Sequence, residues 1–434
     1  MSYEKISFVL VTAAIIMAAA CSSQEYNDES LSSPSTSSFS NKIRSYEDAL
    51  KIAQASISML NDSKSSTRGE INTRKIDLSN SKKVVKLDTK TRSDLGVNDT
   101  LIYVFNFENN EGFVLVSAYE NTEALLAIAE QGNYDPDIKS RIGGFELFLN
   151  RAKQYVAFAS KKYIEKRNCK GLLKDTIIHA YTTIGPYINV KWGQLFPEGE
   201  FCPNGVSGCT NTALAQIMTY YQYPLGMGLT YPNADVSYQN FNWTNMKNHN
   251  SQNLHDKNSA SCNNINAHEA IGRLLRQLGY MNESTYVIFE NPDSNYTSTN
   301  SYLHVGTTMG NLNYEVGTWQ SYNGFTVRGL LDIQRLCFAK GNEHAWVIDG
   351  YKKDEITEYI MELIETSPRP LWSIVQQYDL GTFYYNHMNW GWNGDSNGYY
   401  AENVFNTSWP TSLDTGENDM IFSTIDVDII SIYL

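Results

Sequence analysis

The chain lacks an excess of positive charge. Its 434 residues include 34 lysines and arginines against 47 aspartates and glutamates, which gives a formal net charge of −13. A protein that binds nucleic acid through its phosphates needs a basic surface, and no basic patch could dominate this one. The composition therefore argues against nucleic acid as a partner.

Cysteine is scarce and lacks the spacing of a metal site. There is no CxxC pair and no Cys/His cluster of the zinc type, so we expect no metal, and no organic cofactor is implied. The six cysteines are Cys21, Cys169, Cys202, Cys209, Cys262 and Cys337. If Cys21 is set aside as a lipidation candidate, five remain, so at least one must be unpaired or reactive even where disulfides can form.

The N-terminal apolar run is too short to span a membrane comfortably. Ile6–Ala20 follows Lys5 and holds only apolar or small residues. A membrane-spanning helix needs about 20 such residues, whereas a secretory signal needs fewer. We therefore predict a signal peptide at residues 1–20.

The end of this run resembles a bacterial lipobox. Small residues stop at Cys21, which serine follows, although Ala18 stands where leucine is usual, so ordinary signal cleavage stays an alternative. In a lipobox the cysteine is lipidated and becomes the first residue of the mature protein. Lipidation of Cys21 would hold the protein at a membrane without a transmembrane helix. We predict a bacterial cell-envelope lipoprotein, at the outer membrane or cell surface or released from it.

The remaining sequence divides into a tether and two domains. Residues 21–41 are rich in serine and typical of a flexible tether. Residues 42–168 predict a small α+β unit: a helix after the capping residue Ser45, a hairpin from strands at 102–107 and 113–117, and a second helix at roughly 145–166. Nothing in this unit looks catalytic. Residues 169–434 form the second domain, with helices predicted after Cys209 and at 265–278.

Cys209 stands where a helix is predicted to begin. Gly208 before it permits a tight turn, and apolar residues recur at helical spacing from Thr210 to Tyr223 until Pro224 ends the run. At a helix N-terminus the free backbone N–H groups and the helix dipole stabilise a thiolate, and the same groups can serve an oxyanion. Taken alone, such a cysteine is more often a buried structural residue.

His344 is the best candidate for the base that a catalytic thiol requires. It begins an apolar, strand-like run that ends at Gly350-Tyr351, and a strand is a rigid mount for an imidazole. Taken alone, such a histidine is more often a hydrogen-bonded residue at a strand end. The other histidines have no catalytic pattern around them: His179, His249, His255, His268, His304 and His387.

Two further motifs supply groups that could assist this pair. In the stretch 389–400 (NWGWNGDSNGYY), Asn389 could hold the imidazole in one tautomer, and the indole of Trp390 could shield that hydrogen bond from water. A Gly-rich aromatic hairpin in a β core would explain the same residues. Upstream, Gln194 carries a neutral amide donor suited to an oxyanion, although a lone glutamine has little weight.

In their order along the chain and in their residues, these motifs resemble those of the C10 (streptopain) family of papain-fold cysteine peptidases. The stretch Gly112–Ser117 (GFVLVS) is also similar to a strand of the family's inhibitory propeptide, so the resemblance covers nearly the whole chain from about residue 42. The matching catalytic motifs are Trp192-Gly193-Gln194, Ser207-Gly208-Cys209, His344–Tyr351 and Asn389-Trp390-Gly391-Trp392.

The resemblance implies a role for each of these residues. Cys209 would be the nucleophile and His344 the general base and acid. Asn389 would orient the imidazole, Trp390 would cover that pair, and Gln194 would join the Cys209 backbone N–H in the oxyanion hole. Residues 42–168 would be a propeptide that inhibits the enzyme intramolecularly until cleavage at about 160–180. Proteins or peptides would be the substrates.

The chain departs from the family pattern between the histidine and the asparagine. The separation of His344 and Asn389 is 389 − 344 = 45 residues, more than the family usually has. The extra segment, about 354–381, has a helical start and a Pro-Arg-Pro break, and it could be a surface excursion, a lid or a substrate-selecting arm. About 28 residues is long for a structureless connection.

We therefore expect an α+β protein, with a papain-like peptidase domain in which a helix-borne cysteine faces an antiparallel sheet. Its predicted function is that of an exported cysteine endopeptidase made as a zymogen. Two alternatives stay open. One is a catalytically silent papain-fold surface protein that binds a partner, and the other is an inhibitor acting through residues 42–168.

Overall fold

A computed structural model describes the fold over most of the chain. The described residues are 43–60, 74–79, 83–86, 100–138, 140–159, 173–249, 265–291, 294–365, 371–405, 412–413, 420–421 and 426–434. They belong to one compact unit, residues 39–434. The predicted signal peptide, Cys21 and the tether lie outside the described residues. Among those residues, none of the helices has the length and apolar character to cross a bilayer.

The N-terminal part is an antiparallel four-stranded sheet with two helices packed against it. Ser45 caps the first helix as predicted, because its side chain accepts a hydrogen bond from the Asp48 N–H at 3.1 Å. The predicted hairpin is also present. The elements are α1 (Tyr46–Ser56), β1 (Lys83–Lys86), β2 (Thr100–Asn106), β3 (Phe113–Ser117), β4 (Leu125–Ala129) and α2 (Gly143–Ala159).

The C-terminal part mixes short helices with long antiparallel strands. Its helices are α3 (Cys209–Tyr221), α4 (Trp243–Asn248), α5 (Ile265–Met281), α6 (Ser301–Asn311) and α7 (Gly324–Asp332). Its strands are β5 (Leu173–Ile184), β6 (Gly226–Gly228), β7 (Tyr238–Asn240), β8 (Thr285–Val287), β9 (Tyr296–Ser298), β10 (Glu315–Val316), β11 (Gln320–Ser321), β12 (Leu336–Gly341), β13 (His344–Glu365), β14 (Leu371–Asn389), β15 (Gly398–Ala401), β16 (Ser412–Leu413), β17 (Met420–Ile421) and β18 (Asp428–Tyr433).

One twelve-stranded sheet joins the two parts. Its main path runs β1-β2-β3-β4-β15-β14-β13-β12-β18-β10, with β11 on β18 and β5 on β13. The junction is the antiparallel pair of β4 and β15, in which Ala129 lies opposite Gly398 and Ala127 opposite Tyr400. The N-terminal part and the predicted peptidase domain are therefore connected by backbone hydrogen bonds as well as by side-chain packing.

The predicted helices around the nucleophile and at 265–278 are confirmed as α3 and α5. All of the apolar residues on the inner face of α3 are fully or almost fully buried: Ala213, Leu214, Ile217 and Met218. Helices α4, α6 and α7 were not predicted from the sequence. Each begins after an asparagine, and those preceding α4 and α7 cap the helix through the side chain. These helices are short and polar or glycine-containing, so their periodicity is weak.

The helical start predicted for the segment 354–381 is wrong. β13 and β14 continue through it as a long antiparallel ladder. β5 pairs with the other edge of β13, and this pairing extends from Leu173 opposite Glu362 to Ile184 opposite Tyr351. Branched and aromatic residues recur along this segment and suit strands. The strand partner comes from 173–184, far away in sequence, so local periodicity could not show it. The Pro-Arg-Pro break falls outside the described residues.

Candidate active site

Cys209 is the first residue of α3. Gly208 before it has φ 87° and ψ 146°, a conformation that residues with a Cβ rarely adopt. The first turn is fastened by Thr212, whose hydroxyl lies 3.0 Å from the Gly208 carbonyl oxygen. The partly buried Cys209 is not in a disulfide. The chain thus presents a thiol at the positive end of a thirteen-residue helix.

The thiol of Cys209 lies within hydrogen-bonding reach of His344. Burial by itself would raise the pKa of Cys209, but the hydrogen bond and charge of His344 and the backbone N–H groups of Ala345 and Thr210 outweigh it and lower the pKa. A lowered pKa increases the thiolate fraction, and the thiolate is the nucleophilic form. The structure therefore brings together the two residues that sequence analysis selected for nucleophile and base.

His344 is placed by a tight turn between two strands. Asn342 and Glu343 both have positive φ, 46° and 62°, as a two-residue hairpin turn requires, and Gly341 pairs with His344 across it. The imidazole is 7% exposed and nearly parallel to the Trp346 ring, 6.2 Å away. Its Nε2 lies 3.1 Å from the carbonyl oxygen of Trp390. The strand mount predicted for His344 is confirmed.

The Asn389 side chain is engaged away from the imidazole. Its Nδ2 donates to the Val190 carbonyl oxygen at 3.3 Å, and its Oδ1 accepts from the Gly391 N–H at 3.3 Å. The contact that sequence analysis assigned to this side chain is made here by the backbone carbonyl of the next residue, Trp390. The orienting role of Asn389 stays a prediction.

Trp390 is fully buried beside the histidine. Its indole lies 5.2 Å from the Trp346 ring and donates through Nε1 to the Ser396 carbonyl oxygen at 2.9 Å. Trp346 in turn stacks near His344. These aromatic rings surround the imidazole with apolar surface, which excludes water from its hydrogen bonds.

Gln194 offers an amide donor without an acceptor. Its side chain is 6% exposed, and among the described residues Nε2 has no hydrogen-bond partner. Its backbone carbonyl accepts from the Ser207 N–H at 2.8 Å, so it is tied to the loop that precedes Cys209. A buried donor without an acceptor destabilises the fold, and a catalytic role in the bound state is one explanation for such a group.

The start of α2 packs directly on the site. A methyl group built on Gly144 would lie 2.5 Å from the Trp390 ring and 2.9 Å from His344 Cδ2, and one on Gly143 would lie 3.2 Å from His344 Cβ. Only a residue without a side chain can approach this closely. The N-terminal domain thus covers the imidazole with backbone.

Comparison with protein families identifies both parts of the chain. The Peptidase C10 family matches residues 189–400, and the Spi protease inhibitor family matches residues 40–156. The first range contains Cys209, His344 and Asn389, and the second contains the start of α2. Residues 189–400 are a C10-family cysteine peptidase domain, and residues 40–156 are an inhibitory propeptide domain.

Several known proteins are similar to this chain at low identity. Streptopain of Streptococcus pyogenes is 26% identical over 361 residues, which cover 76% of this chain and 80% of the relative. The thiol protease/hemagglutinin PrtT of Porphyromonas gingivalis is 23% identical, over 77% of this chain and 37% of the relative. A solved fragment of Prevotella intermedia prointerpain A aligns with 77% of this chain and 96% of its own at 20% identity and a TM-score of 0.46.

The polar residues that follow the nucleophile of the peptidase hold its loop in place. Asn211 is fully buried, and its Nδ2 donates to the Ser207 carbonyl oxygen at 2.8 Å while its Oδ1 accepts from Asn282 at 2.7 Å. Thr210 shares a hydrogen bond with Ser301 at 3.0 Å. Thr210 and Asn211 thus fix the start of α3 through buried hydrogen bonds.

A buried acid–histidine pair that was not predicted from the sequence lies beside the site. Asp349 is fully buried on β13, and its Oδ1 lies 2.6 Å from Nδ1 of His387 on β14. Two signals pointed to this pair. Asp349 is a charged residue inside an apolar strand, and His387 precedes Asn389 by two residues, which places both on the same face of their strand. The separation of 38 residues between them concealed the contact.

Proposed function

We propose that the chain is the zymogen of an exported endopeptidase that hydrolyses peptide bonds through a thioester at Cys209. The observation that carries this proposal is the hydrogen-bonding contact between the Cys209 thiol, at a helix N-terminus, and His344. The buried free amide of Gln194 supports an oxyanion hole at the same helix start.

The proposed reaction is acyl transfer in two steps. The Cys209 thiolate attacks the peptide carbonyl carbon, and the resulting oxyanion accepts hydrogen bonds from Gln194 Nε2 and the Cys209 backbone N–H. His344 gives its proton to the leaving amine as the C–N bond breaks. His344 then takes a proton from water, which attacks the thioester. The C–S bond breaks, and the carboxylic acid leaves the regenerated Cys209 thiolate and protonated His344.

We further propose that the propeptide holds the imidazole away from its working partner. With Gly143 and Gly144 packed against His344, Nε2 lies near the Trp390 carbonyl. Once the propeptide leaves, the ring is free to turn toward the Asn389 side chain, whose present bonds at 3.3 Å are long. Asn389 would then orient the base in the mature enzyme.

Export and anchoring complete the proposal. The Lys5 and apolar Ile6–Ala20 pattern supports a signal peptide, and the small residues before Cys21 support lipidation there. Expression of the whole chain in a bacterium supplied with radiolabelled palmitate is the test. We expect label in the wild type and none in Cys21→Ser, while equal labelling would refute lipidation at Cys21.

The catalytic proposal is tested by intact-mass analysis of residues 22–434 and of the Cys209→Ala variant. Each is incubated under reducing conditions with an epoxide that alkylates active-site thiols. We expect the wild type alone to lose about its first 150 residues and to gain one label on Cys209, because the thiolate performs both reactions. A wild type that stays unlabelled even after trimming by an added protease would support the silent binding protein instead.

A further inference from the structure

The segment that carries Gln194 has no secondary structure of its own. This segment, residues 187–194, lies outside helices and strands. Buried backbone groups in such a segment must find hydrogen bonds elsewhere, and side chains are the available partners. The position of Gln194 therefore depends on the residues that hold this segment.

Two buried side chains of α3 contact the end of the segment. The Gln216 amide donates to the Trp192 carbonyl oxygen at 3.1 Å. The Thr212 hydroxyl, which has a single proton, lies 3.2 Å from the Gly193 carbonyl oxygen and 3.0 Å from that of Gly208. Both donors come from α3, so they fix the end of the segment to the helix that bears Cys209. The start of the segment needs a separate attachment.

Asp349 provides that attachment. Its Oδ2 accepts from the Ile188 N–H at 2.8 Å, and its backbone carbonyl oxygen accepts from the Tyr187 N–H at 2.9 Å. Its other carboxylate oxygen lies 2.6 Å from His387 Nδ1. One fully buried residue thus binds the start of the segment twice and a histidine once.

His387 supplies the charge that a buried carboxylate needs. Its side chain is 3% exposed, its ring lies 5.1 Å from the Tyr399 ring, and Glu130 of the propeptide approaches its Nε2 at 3.7 Å. Burial by itself would lower the pKa of His387, but Asp349 and Glu130 raise it well above the ordinary value. Hydrogen bonds to an ionised acceptor are stronger than those to a neutral one. Glu130 leaves with the propeptide, whereas the Asp349–His387 pair remains.

We propose that Asp349 and His387 are a positioning pair that fixes the start of segment 187–194 and thereby places the Gln194 amide for the oxyanion. Neither residue takes part in bond making. The inference rests on the proposed function, because it assigns the pair an effect on catalysis through Gln194 alone.

The test is a double-mutant cycle in the mature enzyme, prepared from the full-length chain by removal of the propeptide. Gln194→Ala should lower kcat about 100-fold, the range found when one oxyanion donor is removed. Asp349→Asn keeps an acceptor for the Ile188 N–H but loses the ion pair with His387. It should lower kcat about 10-fold, because a small misplacement of a catalytic group reduces the rate by such factors. KM should change less than about twofold. Asp349→Asn should have almost no further effect in the Gln194→Ala background.

A second measurement separates positioning from general damage. The rate of Cys209 alkylation by iodoacetamide depends on the thiolate and its histidine and uses no oxyanion hole. It should stay within about twofold of the wild type in Asp349→Asn. The matched control is Asp354→Asn. It changes another buried aspartate of β13, which lies 2.8 Å from the more exposed His179 and holds no part of the 187–194 segment. Its effect on kcat should be small and independent of Gln194.

The possible outcomes are distinct. Additive losses in the two backgrounds, or alkylation that falls in parallel with kcat, would overturn the positioning role while leaving Gln194 in the oxyanion hole. Wild-type activity of Gln194→Ala would overturn the oxyanion assignment, and the positioning proposal with it.

If Asp349→Asn does not fold, His387→Asn takes its place in the same cycle and is judged by the same criteria. This variant keeps a donor near the Nδ1 position without the charge.

Discussion

At the scale of single residues, the environment of Cys209 determines what its thiol can do. The three described cysteines are all unpaired, yet burial raises the pKa of Cys202 and of Cys337 to about 12. Cys209 has a lowered pKa because a histidine and two backbone N–H groups reach it. Cys202 also interacts with Arg276 and Tyr286, but there burial prevails, so a reactive thiol requires interactions strong enough to outweigh its burial.

Asn389 gives a prediction at this scale. Asn389→Ala should reduce kcat of the mature enzyme by about 10- to 100-fold and leave measurable activity, because an orienting residue takes no part in bond making. The measurement is steady-state hydrolysis of a fluorogenic peptide, with His344→Ala as the inactive reference. Full activity of Asn389→Ala would assign the orienting role to another group, the Trp390 carbonyl being the nearest candidate.

The catalytic residue types were predictable from the sequence, but their hydrogen bonds were not. Cys209 and His344 stand in local patterns, a glycine turn before a helix and the start of an apolar strand. The partners of Asn389 and Asp349 include Val190, His387 and Ile188, which are remote in sequence. Contacts of that kind depend on how the strands are paired, and nothing in the local sequence encodes the pairing.

At the scale of elements, the first turn of α2 shows how a propeptide can inhibit through its backbone. Two glycines at the helix start let the chain approach His344 and Trp390 more closely than any side chain would. Glycine is a poor helix former. Its presence at Gly143 and Gly144 is explained by this contact.

Substitution at these glycines should therefore release inhibition in a graded way. Gly144→Ala places a methyl group 2.5 Å from the Trp390 ring and must displace the helix, whereas Gly143→Ala, at 3.2 Å, requires only a small adjustment. Gly144→Ala should shorten the lag of self-activation several-fold and Gly143→Ala should do so less. The lag is read from the onset of fluorogenic peptide hydrolysis.

The control for these variants is Gly329→Ala on α7, where no atom lies within 4 Å of the added methyl group. It should activate like the wild type. An unchanged lag in Gly144→Ala would show that contact of α2 with the histidine does not restrain activation.

The long hairpin of β13 and β14 marks the limit of prediction from local pattern. Its residues contain apolar positions that fit a helical period as well as a strand, and the ladder with β5 decides between the two. By contrast, the capping residue Ser45 and the turn between β2 and β3 lie next to the elements they delimit, and both were predicted correctly.

At the scale of the whole molecule, the interface between propeptide and peptidase contains a buried acid. Glu123 of the propeptide is 6% exposed and accepts from the Asn403 amide at 3.1 Å. Burial raises the pKa of Glu123 to about 8, although hydrogen bonds from Asn403 and Tyr385 oppose the shift. The zymogen therefore holds a proton here that an exposed glutamate would release near pH 4.5.

This proton predicts how zymogen stability depends on pH. Because the folded form binds the proton more tightly, the contribution of Glu123 is fully present below about pH 4.5, declines as the pH rises, and is lost above about 8. Glu123→Gln should flatten the decline between pH 5 and 8, by at most about 1.4 kcal/mol per pH unit. The measurement is the Tm of the Cys209→Ala zymogen with and without Glu123→Gln, and equal slopes would exclude Glu123 as the source.

The pairing of β4 with β15 has a consequence for solubility. While the propeptide is attached, the strand Gly398–Ala401 is an interior strand with neighbours on both sides. Removal of the propeptide turns it into a free sheet edge, the kind of surface along which proteins aggregate. The exposed edge is only four residues long, and short edges resist such growth. Maturation therefore opens the catalytic site while leaving little surface for self-association.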